Sequence, residues 1–335
     1  MGRLLNTYTS LKRCKVILLI ACWIISAQSG FCAVQKNIFS VYGEKLGIPV
    51  YEWKDDSVSP KALIVAIHGL TFYGSAFDGT ATQLASQGYT VYAYDLRGFG
   101  RWHQEKDKFP SDEKPHYDQG VEDGRKLISL LHEQNPDLKI FCLGESLGAN
   151  MSLLLAAQQP QIISGIMLSG LAVKQAWYPR ARWVKDGFNT IVFPNRPFNL
   201  APYSKLYLAS NPTVTQIYLN DPKIFRQLTA EQLIKALVLN ARAVKQADKI
   251  PPSVQILALT GAKDTVFKPK HLSWFAQKVG PDRTTIKVLP NKGHLLLELQ
   301  PYDPEIIDTM DKWLSKNVQP NPSHPNNSLV GELVP

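Results

Sequence analysis

Short, mostly apolar runs recur along this chain at residues 62–67, 90–94, 138–143, 162–168, 254–259 and 285–289, and they read as strands buried in a sheet. Between them lie stretches with helical character at residues 76–86, 118–133, 147–157, up to 274, and 304–316. Strand and helix alternate, so the pattern predicts an α/β fold built on a mostly parallel, doubly wound sheet. Two runs ahead of the first parallel strand, at 38–42 and 48–53, predict an antiparallel edge.

The rhythm stops near residue 171. Residues 172–252 hold no recognisable parallel strand and are rich in aromatics and prolines, among them Trp177, Tyr178, Trp183, Phe193 and Pro194. A capping box, Thr229 with Gln232, then opens a helix whose Leu233, Ile234, Leu237, Val238, Ala241 and Val244 share one face. We read 172–252 as an inserted, mainly helical cap. It divides a core of 30–171 and 253–318, and the Pro- and Asn-rich residues 319–335 read as a disordered tail.

Composition places the body among globular proteins: of 335 residues, 44% are hydrophobic and 19% charged. The amino terminus differs. Arg3, Lys12, Arg13 and Lys15 precede an apolar run at 16–27, too short for the roughly 20 residues of a membrane span. Residues 1–29 are expected to be a secretory signal peptide with a small-x-small site at Ala27-Gln28-Ser29, and the protein to be periplasmic or secreted. Leu19-Ile20-Ala21-Cys22 also fits a lipoprotein box, but Trp23-Ile24-Ile25 after that cysteine argue against lipidation, and an uncleaved anchor is a third reading. Only Cys32 and Cys142 would remain, with neither metal spacing nor a disulfide framework.

The candidate chemistry centres on Gly144-Glu145-Ser146-Leu147-Gly148, which joins a buried strand to a helix. A serine on so sharp a turn needs glycine two residues to each side, because side chains there would collide with their surroundings. Ser146 needs a base, and of seven histidines only His294 follows a late strand in a glycine-containing loop. Asp264 stands in the loop after the preceding strand, where the alternative reading is a turn or cap aspartate, and Asp282 is a rival in a surface turn. Ser146, Asp264 and His294 thus fall in the order nucleophile, acid, base of an α/β-hydrolase. The backbone N–H groups of Leu147 and of Leu70, in His68-Gly69-Leu70, are the expected oxyanion donors. Asp95 and Arg97 are expected to brace the loop beneath the turn.

These segments, with Asp95-Leu-Arg-Gly-Phe-Gly100 and Gly293-His294-Leu-Leu-Leu-Glu298, resemble the monoacylglycerol lipase and lysophospholipase family of α/β-hydrolases, also described as serine aminopeptidase-like. The resemblance runs over about residues 38–318. It implies Ser146, Asp264 and His294 as catalytic triad, Leu70 and Leu147 as oxyanion hole, and no metal or organic cofactor. Glu145 departs from the family's usual residue before the serine.

Charge bears on the substrate. The formal net charge is +9, and 172–252 alone carries twelve Lys and Arg against four acidic residues. No nucleic-acid motif accompanies that charge. A basic, aromatic cap suits a lipid ester, such as a lysophospholipid or monoacylglycerol, and peripheral contact with an anionic membrane surface. The bland reading of the same charges is a solvated face. An aminopeptidase, a small-ester carboxylesterase and a non-catalytic binding protein on the same fold are the alternatives, and oligomeric state is not legible.

Overall fold

The computed structural model describes residues 34–110, 114–174, 195–203, 208, 212–299 and 302–319. The segment read as a signal peptide, residues 175–194, 204–207 and 209–211 of the inserted segment, and nearly all of the tail lie outside the described residues.

Eight strands form one sheet: β1 (Gln35–Asn37), β2 (Val50–Lys54), β3 (Leu63–Ile67), β4 (Thr90–Tyr94), β5 (Ile140–Glu145), β6 (Ile163–Ser169), β9 (Gln255–Gly261) and β10 (Thr284–Leu289). Their order is β1-β2-β4-β3-β5-β6-β9-β10. The first two are antiparallel, β1 to β2 and β2 to β4, and the other pairings are parallel. Both faces of the central strands are covered. Val65, Ile67, Cys142, Ile166 and Ala258 belong to one core cluster, while Ile64, Ala66, Phe141, Met167 and Leu257 belong to the other. That alternation is the period-two geometry of a strand, and it explains why these runs are mostly apolar on both faces.

The antiparallel edge is present, but residues 38–42 are not its strand. Ser40 caps a short helix, α1 (Val41–Leu46), by accepting the Tyr42 N–H, and Gly47 ends it at φ 65°. A serine cap and a left-handed glycine seven residues apart outweigh a brief apolar run. The edge pairing passes instead to Gln35–Asn37, with Gln35 opposite Lys54.

Helices cover the two faces unequally. α2 (Asp78–Ser86) and α8 (Pro304–Val318) fill one cluster through Leu84, Ala85, Met310 and Trp313. The other face holds α3 (Tyr117–Gln134), α4 (Leu147–Gln158), α6 (Ala230–Gln246) and α7 (Lys270–Val279). Every residue of α4 from Leu147 to Ala156 is buried, which a helix apolar on all sides requires. α6 supplies part of that cover.

The described part of 172–252 contains a two-stranded antiparallel pairing of β7 (Phe198–Asn199) with β8 (Gln227–Leu228), the helix α5 (Pro212–Asn220), and α6. The capping box of α6 forms as its sequence predicts: Thr229 Oγ1 accepts the Gln232 N–H and Gln232 Oε1 accepts the Thr229 N–H. Its buried face matches the expected one only in part: Val244 is buried and Leu233 half-buried. Ala236, Leu239 and Ala243 enter the core, whereas Ile234, Leu237 and Val238 are 56%, 39% and 60% exposed. Alanines let α6 approach α4 closely, and Asn150 of α4 donates to the carbonyl of Asn240 at 3.3 Å. Ile234, Leu237 and Val238 are thereby turned outward.

Candidate active site

Ser146 joins β5 to α4 with φ 55° and ψ −114°, a conformation that costs a non-glycine residue on the order of 1–3 kcal/mol. The strain is held by its surroundings. The Ser146 N–H donates to the Ser169 carbonyl at 2.8 Å. A Cβ on Gly144 would lie 2.3 Å from the Gly148 carbonyl oxygen, and one on Gly148 would lie 1.9 Å from that of Ile67. Each glycine therefore marks backbone against backbone. Gly148 is also the point where the first turn of α4 meets the end of β3, so Leu147 and Leu70 stand on neighbouring strand ends.

The structure brings Ser146, His294 and Asp264 into one hydrogen-bonded line. Ser146 Oγ lies 2.9 Å from His294 Nε2, and His294 Nδ1 lies 2.9 Å from Asp264 Oδ2. A carboxylate only accepts, so Nδ1 carries the ring proton and Nε2 is free to accept from the serine hydroxyl. The other Asp264 oxygen accepts the N–H groups of Val266 and Phe267 at 2.7 and 2.9 Å. Asp264 thus caps a turn with one oxygen and meets His294 with the other. Asp282, by contrast, is exposed in the turn after α7.

Burial works to lower the pKa of His294. The neighbouring Asp264 carboxylate, the hydrogen bond to it and the charge of Glu145 outweigh that effect, so the imidazole titrates above its ordinary value. Its ring is packed edge-on against Phe267 at 5.4 Å, and Gly170, at φ 58°, leaves room where a Cβ would be 2.9 Å from the imidazole.

The turn at 68–70 is pinned by a residue whose role was not legible. His68 is fully buried, and the Leu96 N–H donates to its Nε2 at 2.9 Å. Nδ1 must then hold the proton, and it donates to the Gly69 carbonyl at 2.8 Å. Burial lowers the His68 pKa to about 4, so the ring stays neutral at pH 7. In a planar peptide the N–H points opposite the carbonyl, and fixing Gly69 O therefore aims the Leu70 N–H to the other side. Neither the Leu70 nor the Leu147 N–H has a hydrogen-bond acceptor among the described residues.

Asp95 and Arg97 brace this region, though not as a pair. Asp95 accepts the Gly74 and Arg101 N–H groups at 2.6 and 2.7 Å and the Tyr51 hydroxyl at 3.2 Å. Arg97 makes a bidentate pair with Asp123 of α3. Beneath the serine, the buried carboxylate of Glu145 accepts from Ser169 Oγ and from the N–H groups of Leu296, Leu297 and Glu298. It ties the residue before Ser146 to the loop after His294.

A basic group surrounds the start of α7. Lys174 lies 5.2 Å from the ring of Trp274, an exposed residue of α7. His271 on the same helix has its pKa lowered by burial and by the charges of Lys270, Lys174 and Lys268. Lys268 follows Phe267, the residue packed on His294.

A protein-family model described as Serine aminopeptidase, S33, matches residues 58–300. The chain belongs to that α/β-hydrolase family. Among its relatives, this hydrolase is 25% identical over 273 residues to the monoglyceride lipase of Mus musculus, covering 79% of this chain and 86% of that one. It is 23% identical over 277 residues to the monoacylglycerol lipase of Mycolicibacterium smegmatis, covering 79% and 92%. The crystal structure of the Paleococcus ferrophilus monoacylglycerol lipase superposes with a TM-score of 0.63 at 22% identity over 81% of this chain and 99% of that one, a likeness of fold.

Proposed function

We propose that this hydrolase cleaves a carboxylic ester of a lipid through an acyl-enzyme, with Ser146 as nucleophile, His294 as general base and acid, and Asp264 as its orienting partner. The observation that carries the proposal is the unbroken line from Ser146 Oγ through His294 to Asp264. Ser146 Oγ attacks the ester carbonyl while His294 Nε2 takes its proton, and the carbonyl oxygen becomes an oxyanion facing the N–H groups of Leu70 and Leu147. Collapse breaks the carbon–oxygen bond, and the imidazolium returns its proton to the leaving alcohol. A water deprotonated by His294 then attacks the acyl-enzyme, releasing the fatty acid and restoring Ser146.

The relatives that are monoglyceride lipases support a lipid with a single acyl chain. The basic group formed by Lys174, Lys268 and Lys270 beside Trp274 favours an anionic head group, hence a lysophospholipid ahead of a monoacylglycerol. An aminopeptidase, the family's description, is the second reading; its cationic substrate terminus would be disfavoured by these lysines. Export through residues 1–29 is part of the proposal, with Gly30 the expected first residue of the mature chain.

One panel tests the reading: lysophospholipids, monoacylglycerols, short p-nitrophenyl esters and aminoacyl arylamides, each with wild type and Ser146→Ala. Ester turnover should vanish in the variant, and lysophospholipid should give the highest kcat/KM. Hydrolysis by Ser146→Ala at the wild-type rate would sink the mechanism. A preference for arylamides would replace the esterase with the peptidase.

A further inference from the structure

Glu298 is fully buried, and its Oε1 accepts the N–H of Gly69, 229 positions away in sequence, at 2.8 Å. The other oxygen, Oε2, has no hydrogen-bond partner among the described residues. It presses on the same turn: a Cβ at Gly69 would lie 3.0 Å from Glu298 Oε2 and 3.4 Å from the Glu145 carbonyl oxygen. The Glu298 N–H in turn donates to Glu145 Oε2 at 2.9 Å. Two buried carboxyl groups therefore stand in series. Glu145 gathers one hydroxyl and three N–H donors, and Glu298 gathers a single N–H.

We propose that Glu298 is a positioning residue for the reaction, its carboxyl group fixing the peptide between His68 and Gly69 so that the Leu70 N–H keeps its aim at the oxyanion. His68 clamps the next peptide by its carbonyl, and Glu298 clamps this one by its N–H. Together they leave the turn no freedom to rotate Leu70 away. The inference rests on the reading of Leu70 as an oxyanion donor. It adds that one connected brace runs from Glu145, through the loop after His294, to the oxyanion turn.

The brace acts in the neutral form. An ionised carboxylate with one donor, in the core and beside a second carboxylate, would be uncompensated. Burial is the main cause that pushes the Glu298 pKa well above the carboxylate range, the negative charge of Glu145 adds to it, and the Gly69 N–H opposes. A neutral carboxyl group still offers its carbonyl oxygen to Gly69. Glutamine offers the same oxygen, so the two side chains are interchangeable for this purpose.

Two variants decide it. Glu298→Gln keeps the acceptor without a charge, and Glu298→Met fills similar space without an acceptor. For both, kcat and KM on a short p-nitrophenyl ester are measured beside the rate at which a fluorophosphonate modifies Ser146, a step that also builds charge on the oxyanion-hole oxygen. Glu298→Gln should stay within about threefold of wild type in every constant. Glu298→Met should lose about 10- to 100-fold in kcat and in phosphonylation rate with KM within about threefold, somewhat less than deletion of an oxyanion donor outright. Wild-type rates in Glu298→Met, or a Glu298→Gln protein as impaired as Glu298→Met, would overturn the proposal. If wild type reacts with fluorophosphonate but cleaves no ester, the esterase reading fails while the phosphonylation rates still judge Glu298. A wild type inert to both overturns the two together.

Discussion

Asp264 divides its work between two oxygens, and a single substitution separates the two tasks. In Asp264→Asn the amide oxygen can still accept the N–H groups of Val266 and Phe267, while the amide nitrogen faces His294. An N–H donor there forces Nδ1 to accept, which puts the proton on Nε2 and removes the base from Ser146. The variant should fold with a melting temperature near that of wild type and lose on the order of 10³- to 10⁴-fold in kcat. The pH dependence follows from the same contact. His294 acts as a base only when neutral, and its pKa is raised, so kcat/KM falls as pH drops through a value on the alkaline side of 6.5. Without the carboxylate that acidic limb should move to lower pH, and a pH–rate profile of the residual activity checks it. Ser146, Asp264 and His294 were legible because each sits on a glycine-bearing loop at a strand end. His68 and Glu298 were not, since each acts on a backbone group that no local pattern displays. For Glu298 the one available signal was an acid closing the apolar run Leu295-Leu296-Leu297.

At the scale of elements, two glycines with opposite surroundings separate packing from backbone conformation. Gly148 has helical backbone, but its Cβ would overlap the Ile67 carbonyl, so Gly148→Ala must push α4 away from β3 and with it Leu147 from Leu70. Gly47 sits at φ 65° with nothing near, so Gly47→Ala strains one residue by only about 1 kcal/mol. Thermal melts should show Gly47→Ala a few degrees below wild type with full activity. Gly148→Ala should be inactive and melt far lower, or fail to accumulate as folded protein. The strand runs were legible because burial on both faces demands continuous apolar sequence. Residues 38–42 and the buried face of α6 were misread for a shared reason: apolar content was taken for burial. Around residue 40 a cap and a left-handed glycine decided the local structure, and in α6 close approach to α4 selected alanine over larger side chains. Arg283, next to Asp282 in the turn read as lying on the surface, is buried, and it donates to the carbonyls of Ile250, Pro251, Val254 and Val279.

For the whole molecule, the outward stripe of α6 meets the uneven charge. Ile234, Leu237 and Val238 are exposed on consecutive turns, in a segment whose net charge is +8 while the rest of a chain starting at Gly30 carries about −3. Solvated charge alone would not require apolar residues beside it. A surface that is both basic and apolar suits the face of an anionic bilayer, where a substrate with one acyl chain also resides. We propose that this face rests on such a bilayer during turnover. Charge and apolar area contribute by different rules, which makes them separable. Lysine and arginine contacts weaken as salt screens them, whereas insertion of aliphatic side chains does not. Co-sedimentation with vesicles of anionic phosphatidylglycerol should therefore exceed that with neutral phosphatidylcholine and decline with salt to a residual level. Replacing Leu237 and Val238 by serine should abolish that residue and weaken total binding by about tenfold or more, since a fully buried aliphatic side chain contributes about 1.5–3 kcal/mol. Turnover of a soluble short ester should be unchanged in the double variant, because neither side chain takes part in the Ser146–His294–Asp264 line. Equal binding of both proteins to both vesicles would return the stripe to an ordinary solvent-facing surface.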